Sequence, residues 1–350
     1  MKKHLLLLVI ILSLFSCKKN KFIKNLAPGI IENKTFNSTV LIDGHDYDGT
    51  IIKNCVFEDI DGDGLQIRDV NNLIIKDCIF RDISENAIRF RNSGSSDGVL
   101  IINNQIYNIE KNGILAPEEH INTTIQSNII YNVATNNTSS NFGAPHHGIY
   151  FQGFNVTIQE NTIYDVINDD GNCVSIRTYG KISRNKLYNA TDHGISYFSD
   201  HPGNSQQLLI ENNVIFDNGK RGIHLASNGE TGNYIGHALI RLNTIICSDM
   251  SPIGMNDDLV GVDFDLYGNV MIRTDGSTNF VYTNHPYNES HNLYDHGDIG
   301  FVDFINRNFR LTSSSSAIDA AVGLTSFPAI DFDGNTRYAA TLDAGAFAFD

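Results

Sequence analysis

The amino-acid sequence predicts an all-β fold, a single-stranded right-handed parallel β-helix of about nine to ten coils. Three observations predict it: a recurrent phrase Ile-x-x-Asn-x-Ile-aromatic, a second phrase Gly-Ile-x-apolar about ten residues later, and no helical periodicity between them. The Asn or Asp of the first phrase recurs every 23 to 33 residues, at positions 54, 77, 104, 128, 161, 185, 213, 243 and 269. Repeats of this length are typical of solenoid proteins.

Each repeat holds short strands of alternating polarity separated by turns. The first phrase runs, for example, from Ile101 to Tyr107, and the second from Gly148 to Phe151. One such unit cannot bury its own apolar face, whereas stacked coils give every strand a hydrogen-bonded neighbour above and below. A side-chain amide at a fixed turn can bridge the backbones of successive coils, which accounts for the recurrent Asn.

The first twenty residues predict export. Lys2 and Lys3 precede an apolar run, Leu5 to Phe15, that is too short for a membrane-spanning helix. The run ends in Leu-Phe-Ser-Cys17, which resembles the lipobox of bacterial lipoproteins. The resemblance implies cleavage before Cys17 and a lipid anchor on that cysteine, hence a cell-envelope protein at the outer membrane or cell surface. The alternative is an ordinary signal peptide followed by an incidental cysteine.

The last fifty residues break the repeat. Their phrases Asn308-Phe-Arg-Leu, Ser316-Ala-Ile-Asp, Asp331-Phe-Asp-Gly-Asn-Thr-Arg and Asp343-Ala-Gly-Ala-Phe resemble the closing block of bacterial surface proteins called choice-of-anchor Q proteins. We expect this block to cap the C-terminal end of the solenoid, because open ends invite aggregation. The sequence thus divides into a signal peptide 1–16, a lipidated tether and N-terminal cap 17–35, a β-helix 36–300 and a closing block 301–350.

The formal net charge of −15 argues against nucleic acid as a partner, because nucleic-acid binding requires a basic surface. Beyond Cys17 the cysteines match no zinc-binding spacing. Cys55 and Cys78 fall at equivalent places on adjacent repeats, either as a disulfide or as two stacked small apolar residues. We expect a monomer.

One face of the solenoid gathers cations against the overall charge. If Ile of the Gly-Ile phrase points inwards, alternation sends its neighbours outwards as ladders across coils. Together with the position before each Gly, this face carries five arginines and three histidines: Arg68, Arg89, Arg91, Arg177, Arg221, His147, His193 and His224. Long turns at 134–145, 199–207 and 227–237 would wall a groove over coils four to seven, and long loops in compact repeats are often functional. The groove would hold His146, His147, Tyr150, Gln152, Asp169, Asp170, Arg177, His193, Lys220, Arg221 and His224.

Residues 147–226 also resemble the catalytic coils of polygalacturonase-type β-helix hydrolases. The stretch Asn168-Asp-Asp-Gly-Asn-Cys-Val-Ser-Ile is similar to their Asp-Asp-Cys phrase, and His193-Gly-Ile-Ser to their His-Gly phrase. The slot of their upstream catalytic Asp holds His147 here, and their Arg-Ile-Lys phrase is replaced by His224-Leu-Ala. Inverting hydrolysis requires carboxyl groups on both sides of the bond, so these departures disfavour that mechanism.

The face favours β-elimination on an anionic polysaccharide, which requires a cation on the uronate carboxylate, a base and an acid. We expect Arg177 to neutralise the carboxylate, His147 or His193 to act as base, and His224 or Tyr150 as acid. The expected substrate-binding residues are Arg89, Arg91, Gln152, Asp169, Asp170, Lys220 and Arg221. We expect His193→Ala to abolish turnover without unfolding, because a turn residue carries little core. The alternatives are a glycoside hydrolase and a non-catalytic glycan-binding or adhesin-like protein.

Calcium is a candidate cofactor. Asp59-Ile-Asp61-Gly-Asp63-Gly copies the opening of a calcium-binding loop. The stretch lacks the Glu at the twelfth position that completes an EF-hand.

Overall fold

The computed structural model describes residues 22–24, 26–136, 145–199, 206–227 and 235–349. The chain forms an all-β solenoid, as predicted: within the described residues, three parallel sheets run along the rod with eleven, eleven and ten strands. Every strand of a sheet pairs in parallel with the equivalent strand of the next coil. No helix in the described part of the chain is long and apolar enough to cross a membrane.

Strands are numbered in chain order. Sheet 1 consists of β1 (Ile30–Glu32), β4 (Ile51–Lys53), β7 (Ile74–Lys76), β10 (Leu100–Ile102), β13 (Thr124–Gln126), β16 (Val156–Gln159), β19 (Gly180–Ser183), β22 (Gln206–Glu211), β25 (Ile235–Arg241), β28 (Asp263–Tyr267) and β31 (Asn288–Ser290). Sheet 2 consists of β2 (Thr35–Phe36), β5 (Val56–Ile60), β8 (Ile79–Ile83), β11 (Gln105–Ile109), β14 (Ile129–Val133), β17 (Thr162–Val166), β20 (Lys186–Ala190), β23 (Val214–Phe216), β26 (Thr244–Cys247), β29 (Val270–Arg273) and β32 (Leu293–Asp295).

Sheet 3 consists of β3 (Val40–Asp43), β6 (Leu65–Arg68), β9 (Ile88–Phe90), β12 (Ile114–Ala116), β15 (Ile149–Phe151), β18 (Val174–Ile176), β21 (Ile195–Ser199), β24 (Ile223–Ser227), β27 (Ile253–Met255) and β30 (Val281–Tyr282). An antiparallel hairpin follows, β33 (Phe301–Asp303) and β34 (Asn308–Leu311). Two short 3-10 turns cover His45–Tyr47 and Ala339–Thr341. Strand β1 lies within the range 17–35 that the sequence assigns to a tether and cap, so the first coil begins at Ile30.

A ladder of buried asparagines runs inside one turn of the solenoid, as the recurrent Asn predicts. The backbone N–H of each rung donates to the side-chain Oδ1 of the rung in the next coil, for example from Asn161 to Asn185 at 2.9 Å. The Nδ2 group of Asn185 in turn donates to the carbonyl of Ile158, at 2.9 Å. The ladder therefore satisfies buried backbone groups that would each cost about 1–3 kcal/mol if left unpaired. Its asparagines are residues 104, 128, 161, 185, 213, 243, 269 and 292, of which only the last is half-buried.

The predicted anchors Asn54 and Asp77 are wrong by one residue. Both adopt left-handed backbone conformations (φ of 52° and 54°), and the ladder position beside them is taken by Cys55 and Cys78. The N–H of Cys78 donates to Oδ1 of Asn104 at 3.0 Å, and the N–H of Cys55 lies 3.5 Å from Sγ of Cys78. A thiol is small and accepts hydrogen bonds weakly, so it can replace the amide. Both cysteines are buried and form no disulfide, which matches the alternative of two stacked residues.

The glycine of the second phrase is explained by close packing between coils. A Cβ atom on Gly148 would lie 2.5 Å from the carbonyl oxygen of Cys173, and one on Gly113 would lie 2.5 Å from that of Gly148. These two coils therefore leave no room for a side chain at this position, whereas Ala87 and Cys173 occupy it in other coils. The residue that follows, such as Ile149, points into the core.

The closing block packs on the side of the solenoid. Phe301, Phe309 and Phe347 are buried in an apolar cluster with outward-facing residues of β23, β26 and β29. The ring of Phe309 meets that of Phe216 edge-on at 5.2 Å. Arg337 is buried and donates to Oδ1 of Asn212 at 3.1 Å and to the carbonyl of Gly345 at 2.8 Å. The sequence predicts a block at the end of the solenoid. In the structure the block covers the outer face of sheet 2 at β23, β26 and β29.

Candidate functional site

The outer face of sheet 3 carries the predicted ladders in the predicted register. Its first outward column contains Gln66, Arg89, Leu115, Tyr150, Ser175, Ser196, His224, Gly254 and Tyr282. Two small serines separate the large side chains of Tyr150 and His224. Three strand spacings of about 4.8 Å each make this trough about 14 Å long. Ser175 and Ser196 are only 3% and 8% exposed.

A second ladder borders the trough in the turn that enters sheet 3. The side chain of each rung except the last, Arg221, accepts a hydrogen bond from the backbone N–H of the rung in the next coil, at 2.8 to 3.3 Å. Asparagines fill most of the central rungs, but imidazole Nδ1 atoms replace the amide oxygen at two of them. The rungs are Asp63, Asn86, Asn112, His147, Asn172, His193 and Arg221.

His147 and His193 are therefore neutral rings with a defined tautomer. Nδ1 of His147 accepts from the N–H of Asn172 at 3.1 Å, and Nδ1 of His193 from the N–H of Arg221 at 3.0 Å. Each neutral ring then carries its proton on Nε2. Burial, reinforced by Arg177 and His146, lowers the pKa of His147 to about 3. Burial, reinforced by His224, Lys220 and Arg221, lowers the pKa of His193 to about 2. Both histidines can donate a proton from Nε2. The base role expected from the sequence would need a lone pair, and the Nδ1 lone pair of each ring is already used by a backbone N–H.

Arg177 is a fixed cation beside the trough. Its Nε donates to the hydroxyl of Tyr150 at 3.2 Å, and its Nη1 donates to the carbonyl of Phe198 at 2.9 Å. The guanidinium also lies over the ring of Phe198, 4.7 Å from the centroid. Nε2 of Gln152 donates to the same Tyr150 hydroxyl at 2.8 Å. Because two donors occupy the oxygen of Tyr150, its own proton is directed towards a further acceptor.

His224 has the same Nε2–H tautomer, but a side-chain amide fixes it. Its Nε2 lies 3.2 Å from Oδ1 of Asn256, an atom that only accepts, so the proton of the neutral ring sits on Nε2 and Nδ1 keeps a lone pair. Its ring centroid is 4.5 Å from that of His193. Burial lowers the pKa of His224, so the ring is neutral and able to accept a proton at neutral pH.

Asp192 is a site residue that sequence reasoning missed. Its Oδ1 lies 2.8 Å from Nζ of Lys220 and 3.4 Å from Nε2 of His193. Burial raises the pKa of Asp192, and the lysine partly offsets this effect. Asp170 lies on the same lysine, 3.9 Å from its Nζ. The sequence feature that marks Asp192 is its position directly before the His193-Gly phrase.

The other predicted residues are distributed around this centre. Arg221 is half-buried, its guanidinium lies 4.7 Å from the ring centroid of Tyr282, and burial lowers its pKa. Asp169 is exposed in the turn before β18. Arg89 and Arg91 lie together near the N-terminal end of the same face. Residues 137–144, 200–205 and 228–234, the main part of the predicted groove walls, and Cys17 lie outside the described residues.

The three aspartates proposed for calcium differ in conformation and in hydrogen-bond partners. Asp59 adopts a left-handed conformation (φ 55°), and Asp61 accepts from the hydroxyl of Ser84 at 3.3 Å. Asp63 is buried, and its carboxylate accepts from Asn86 and from Nε2 of Gln66. Among the described residues, no group of three or more His, Cys, Asp or Glu side chains is arranged to hold a metal ion.

Comparison with known proteins gives a family and several similar folds. The family model described as "Right handed beta helix region" matches residues 22–130 and 86–251. Comparison with curated protein sequences gives no match. Among solved structures, pectate lyase Pel9A is similar with a TM-score of 0.57 and 14% identity, over 92% of this chain and 86% of that one.

Two structures from Azotobacter vinelandii are also similar. The A-module of mannuronan C-5 epimerase AlgE6 has a TM-score of 0.54 and 14% identity, over 76% of this chain and 80% of that one. The A-module of AlgE4 has a TM-score of 0.50 and 13% identity, over 77% and 79%. By their names, these proteins act on pectate or mannuronan. At such identities the likeness shows the fold alone.

Proposed function

The chain belongs to the family of right-handed β-helix proteins, and we propose that it acts on an anionic polysaccharide by β-elimination at the trough of sheet 3. One observation carries the proposal: a guanidinium held in place by Tyr150 and Phe198 shares this face with a neutral imidazole, His224, whose Nδ1 lone pair is preserved by Asn256. A fixed cation and a neutral base are the two groups that removal of a proton next to a carboxylate requires.

In this mechanism Arg177 binds the uronate carboxylate and stabilises the negative charge that develops as the adjacent C–H proton leaves. Nδ1 of His224 accepts that proton. Nε2 of His193 is the acid for the leaving glycosidic oxygen, because it carries the proton of that ring and its ring centroid lies 4.5 Å from that of His224. Tyr150, three strand spacings from His224, holds Arg177 in place. The products are a new reducing end and a sugar with a carbon–carbon double bond, so the atoms of the broken linkage balance without water.

Asp192 and Lys220 support this centre. Nε2 of His193 is directed towards Asp192, and Asp192 is held by Lys220. Lys220 and Arg221 add positive charge beside the trough, although the protein as a whole is strongly acidic. The pectate and mannuronan named for the similar structures are polymers of the substrate class proposed for this chain.

Hydrolysis is the second candidate, because Asp170 and Asp192 both approach Nζ of Lys220 and thus lie near one another. Two carboxyl groups on either side of a glycosidic bond are the requirement for that reaction. A hydrolase would produce reducing ends without unsaturated sugars. An epimerase would produce neither, but would exchange the abstracted proton with solvent.

The test is incubation of the purified mature protein with pectate, alginate and sulfated algal glycans. Ultraviolet absorbance reports unsaturated ends, a reducing-sugar assay reports all new ends, and nuclear magnetic resonance in deuterated water reports proton exchange. The proposal expects absorbance that grows with reducing ends and that falls about 100- to 1,000-fold in Arg177→Gln. Arg310→Gln is the matched control, since Arg310 is an exposed closing-block residue paired with Asp333. Retained binding without any product would favour a glycan-binding protein, and would contradict β-elimination.

We also propose export and lipid anchoring through Cys17, on the basis of the lipobox. Radiolabelled palmitate should enter the protein in cells, and Cys17→Ser should release the protein from the membrane fraction. Membrane association that survives Cys17→Ser, without label in the parent protein, would contradict the anchor.

A further inference from the structure

A cavity of about 360 Å³ opens on the outer face of sheet 3, near the N-terminal end of the solenoid. Its lining combines two guanidinium groups, two side-chain amides, a hydroxyl and an aromatic ring. These belong to Arg89, Arg91, Gln66, Asn92, Ser93 and Phe22. Guanidinium groups bind carboxylates through paired charge-assisted hydrogen bonds, and amides and hydroxyls suit sugar oxygens. The lining is thus suited to an anionic sugar unit.

The cavity carries a positive charge that its own acids do not balance. Arg68 is neutralised by Asp43, with Nε 2.6 Å from Oδ1. Nη1 of Arg89 lies 3.5 Å from Oδ2 of Asp63. Arg91 is different, because its Nη1 donates at 2.7 Å to Oε1 of Gln66, which is neutral. Arg91 forms no ion pair within the described residues, although its charge also lowers the pKa of Asp43, which is already bound by Arg68.

Arg89 also has a donor without an acceptor. Its Nε is buried and makes no hydrogen bond within the described residues. A buried N–H without a partner destabilises the arrangement in which it is left. The Arg89 side chain is otherwise 35% exposed, so an anion in the cavity would bind it through its terminal nitrogens.

The cavity and the Arg177 centre lie on one continuous surface. Strands β9, β12, β15 and β18 are consecutive neighbours in sheet 3, so the two places are about 14 Å apart at about 4.8 Å per spacing. The outward residues of the intervening strands are Leu115 and Tyr150, and neither is acidic. A polyanion can therefore pass from one place to the other without meeting a carboxylate on these strands.

We infer that the Arg89–Arg91 cavity is a distal subsite for a second anionic unit of the polymer chain whose reacting unit lies at Arg177. The inference rests on the proposed function, and it adds a direction: the polysaccharide runs parallel to the solenoid axis, towards the N-terminal coils. It also adds a length requirement, because a separation of about 14 Å exceeds the distance between the centres of the two end units of a trisaccharide. Short oligosaccharides occupy the Arg177 centre alone, and long ones occupy both places.

The experiment measures calorimetric binding of pectate-derived and alginate-derived oligosaccharides, a trisaccharide and a decasaccharide of each, by the full-length mature protein. Arg91→Gln should weaken decasaccharide binding about tenfold, the loss expected for one charge-assisted hydrogen bond, and leave trisaccharide binding unchanged. The difference should shrink at high salt, because screening weakens the lost attraction in the parent protein. Arg81→Gln is the matched control, since Arg81 lies on the outer face of sheet 2 and pairs with Glu58.

Equal decasaccharide affinity in Arg91→Gln and the parent protein would overturn the subsite, as would an equal loss for both lengths or a parent protein that binds neither. The proposed reaction fails separately. A length-dependent loss without any unsaturated product leaves the subsite in place and contradicts β-elimination. Unsaturated products without an effect of Arg91→Gln on decasaccharide binding would support β-elimination and contradict the subsite.

Discussion

Nδ1 of His193 accepts a hydrogen bond from the backbone N–H of Arg221, 3.0 Å away, as the amide oxygen of Asn172 accepts one from the N–H of His193 at 2.9 Å. His193 is thus both a rung of the turn ladder and a member of the candidate site. A substitution that removes its whole side chain changes the backbone support of the trough together with its chemistry. The two contributions can be separated with asparagine, which three neighbouring rungs already use.

His193→Asn should keep the stability of the parent protein, whereas His193→Ala should destabilise it. The alanine variant leaves the buried N–H of Arg221 unpaired, which costs about 1–3 kcal/mol. The expectation from the sequence that His193→Ala spares the fold assumed a turn residue outside the core, whereas His193 is a buried rung and only 6% exposed. Urea unfolding followed by circular dichroism measures the difference. Equal free energies of unfolding for the two variants would show that the rung carries no stability.

Acid should destabilise the protein through His147 and His193. The pKa of each is lower in the folded protein, at about 3 and about 2, than in the unfolded chain. The neutral rings thus favour folding at pH values above the unfolded pKa of about 6.5. This contribution is lost as the pH falls towards the folded pKa values. The loss is about 1.4 kcal/mol for each histidine and each pH unit. The double variant His147→Asn, His193→Asn should show a shallower loss of stability between pH 6 and pH 4. Parallel stability curves for parent and variant would contradict this assignment.

Asn256→Asp should shift the acid limb of the pH–rate profile to higher pH. A carboxylate at this position would accept from Nε2 of His224 and favour the charged ring, which raises the histidine pKa. At pH values below the new pKa, less of His224 is available as base. Asn256→Gln, which keeps a neutral amide, is the control for side-chain replacement. An unchanged acid limb in Asn256→Asp would exclude His224 as the base.

Phe309→Ala should destabilise the protein by about 3–5 kcal/mol, the cost of a large-to-small change in a core. Phe309 is 1% exposed and packs between the closing block and Phe216 of sheet 2. Ile305→Ala is the matched control from the same hairpin, because Ile305 is 80% exposed and should change stability by less than about 0.5 kcal/mol. Thermal and urea unfolding report both values. Similar small effects in the two variants would mean that the closing block contributes little to the stability of the solenoid.

The repeat predicts most of the fold. The predicted ladder positions are wrong where a residue other than asparagine occupies the ladder. A thiol takes the ladder position at Cys55 and Cys78, so the pattern of asparagines shifts by one residue in the first coils. Phe57 and Phe80 consequently point into the core, whereas the aligned phrase of later coils places Tyr107 outside. Alignment of letters cannot reveal this shift, because the backbone position is defined by hydrogen bonds to the neighbouring coil.

The sequence by itself determined the parallel solenoid and the outward ladder of sheet 3, because both follow from strand alternation and repeat length. It also placed Tyr150, Arg177 and His224 on one face. Only the tertiary structure decided their chemistry. Tautomers and pKa values depend on which backbone group or amide meets each ring nitrogen, as at His193 and His224, and those partners come from other coils, 28 and 32 residues away.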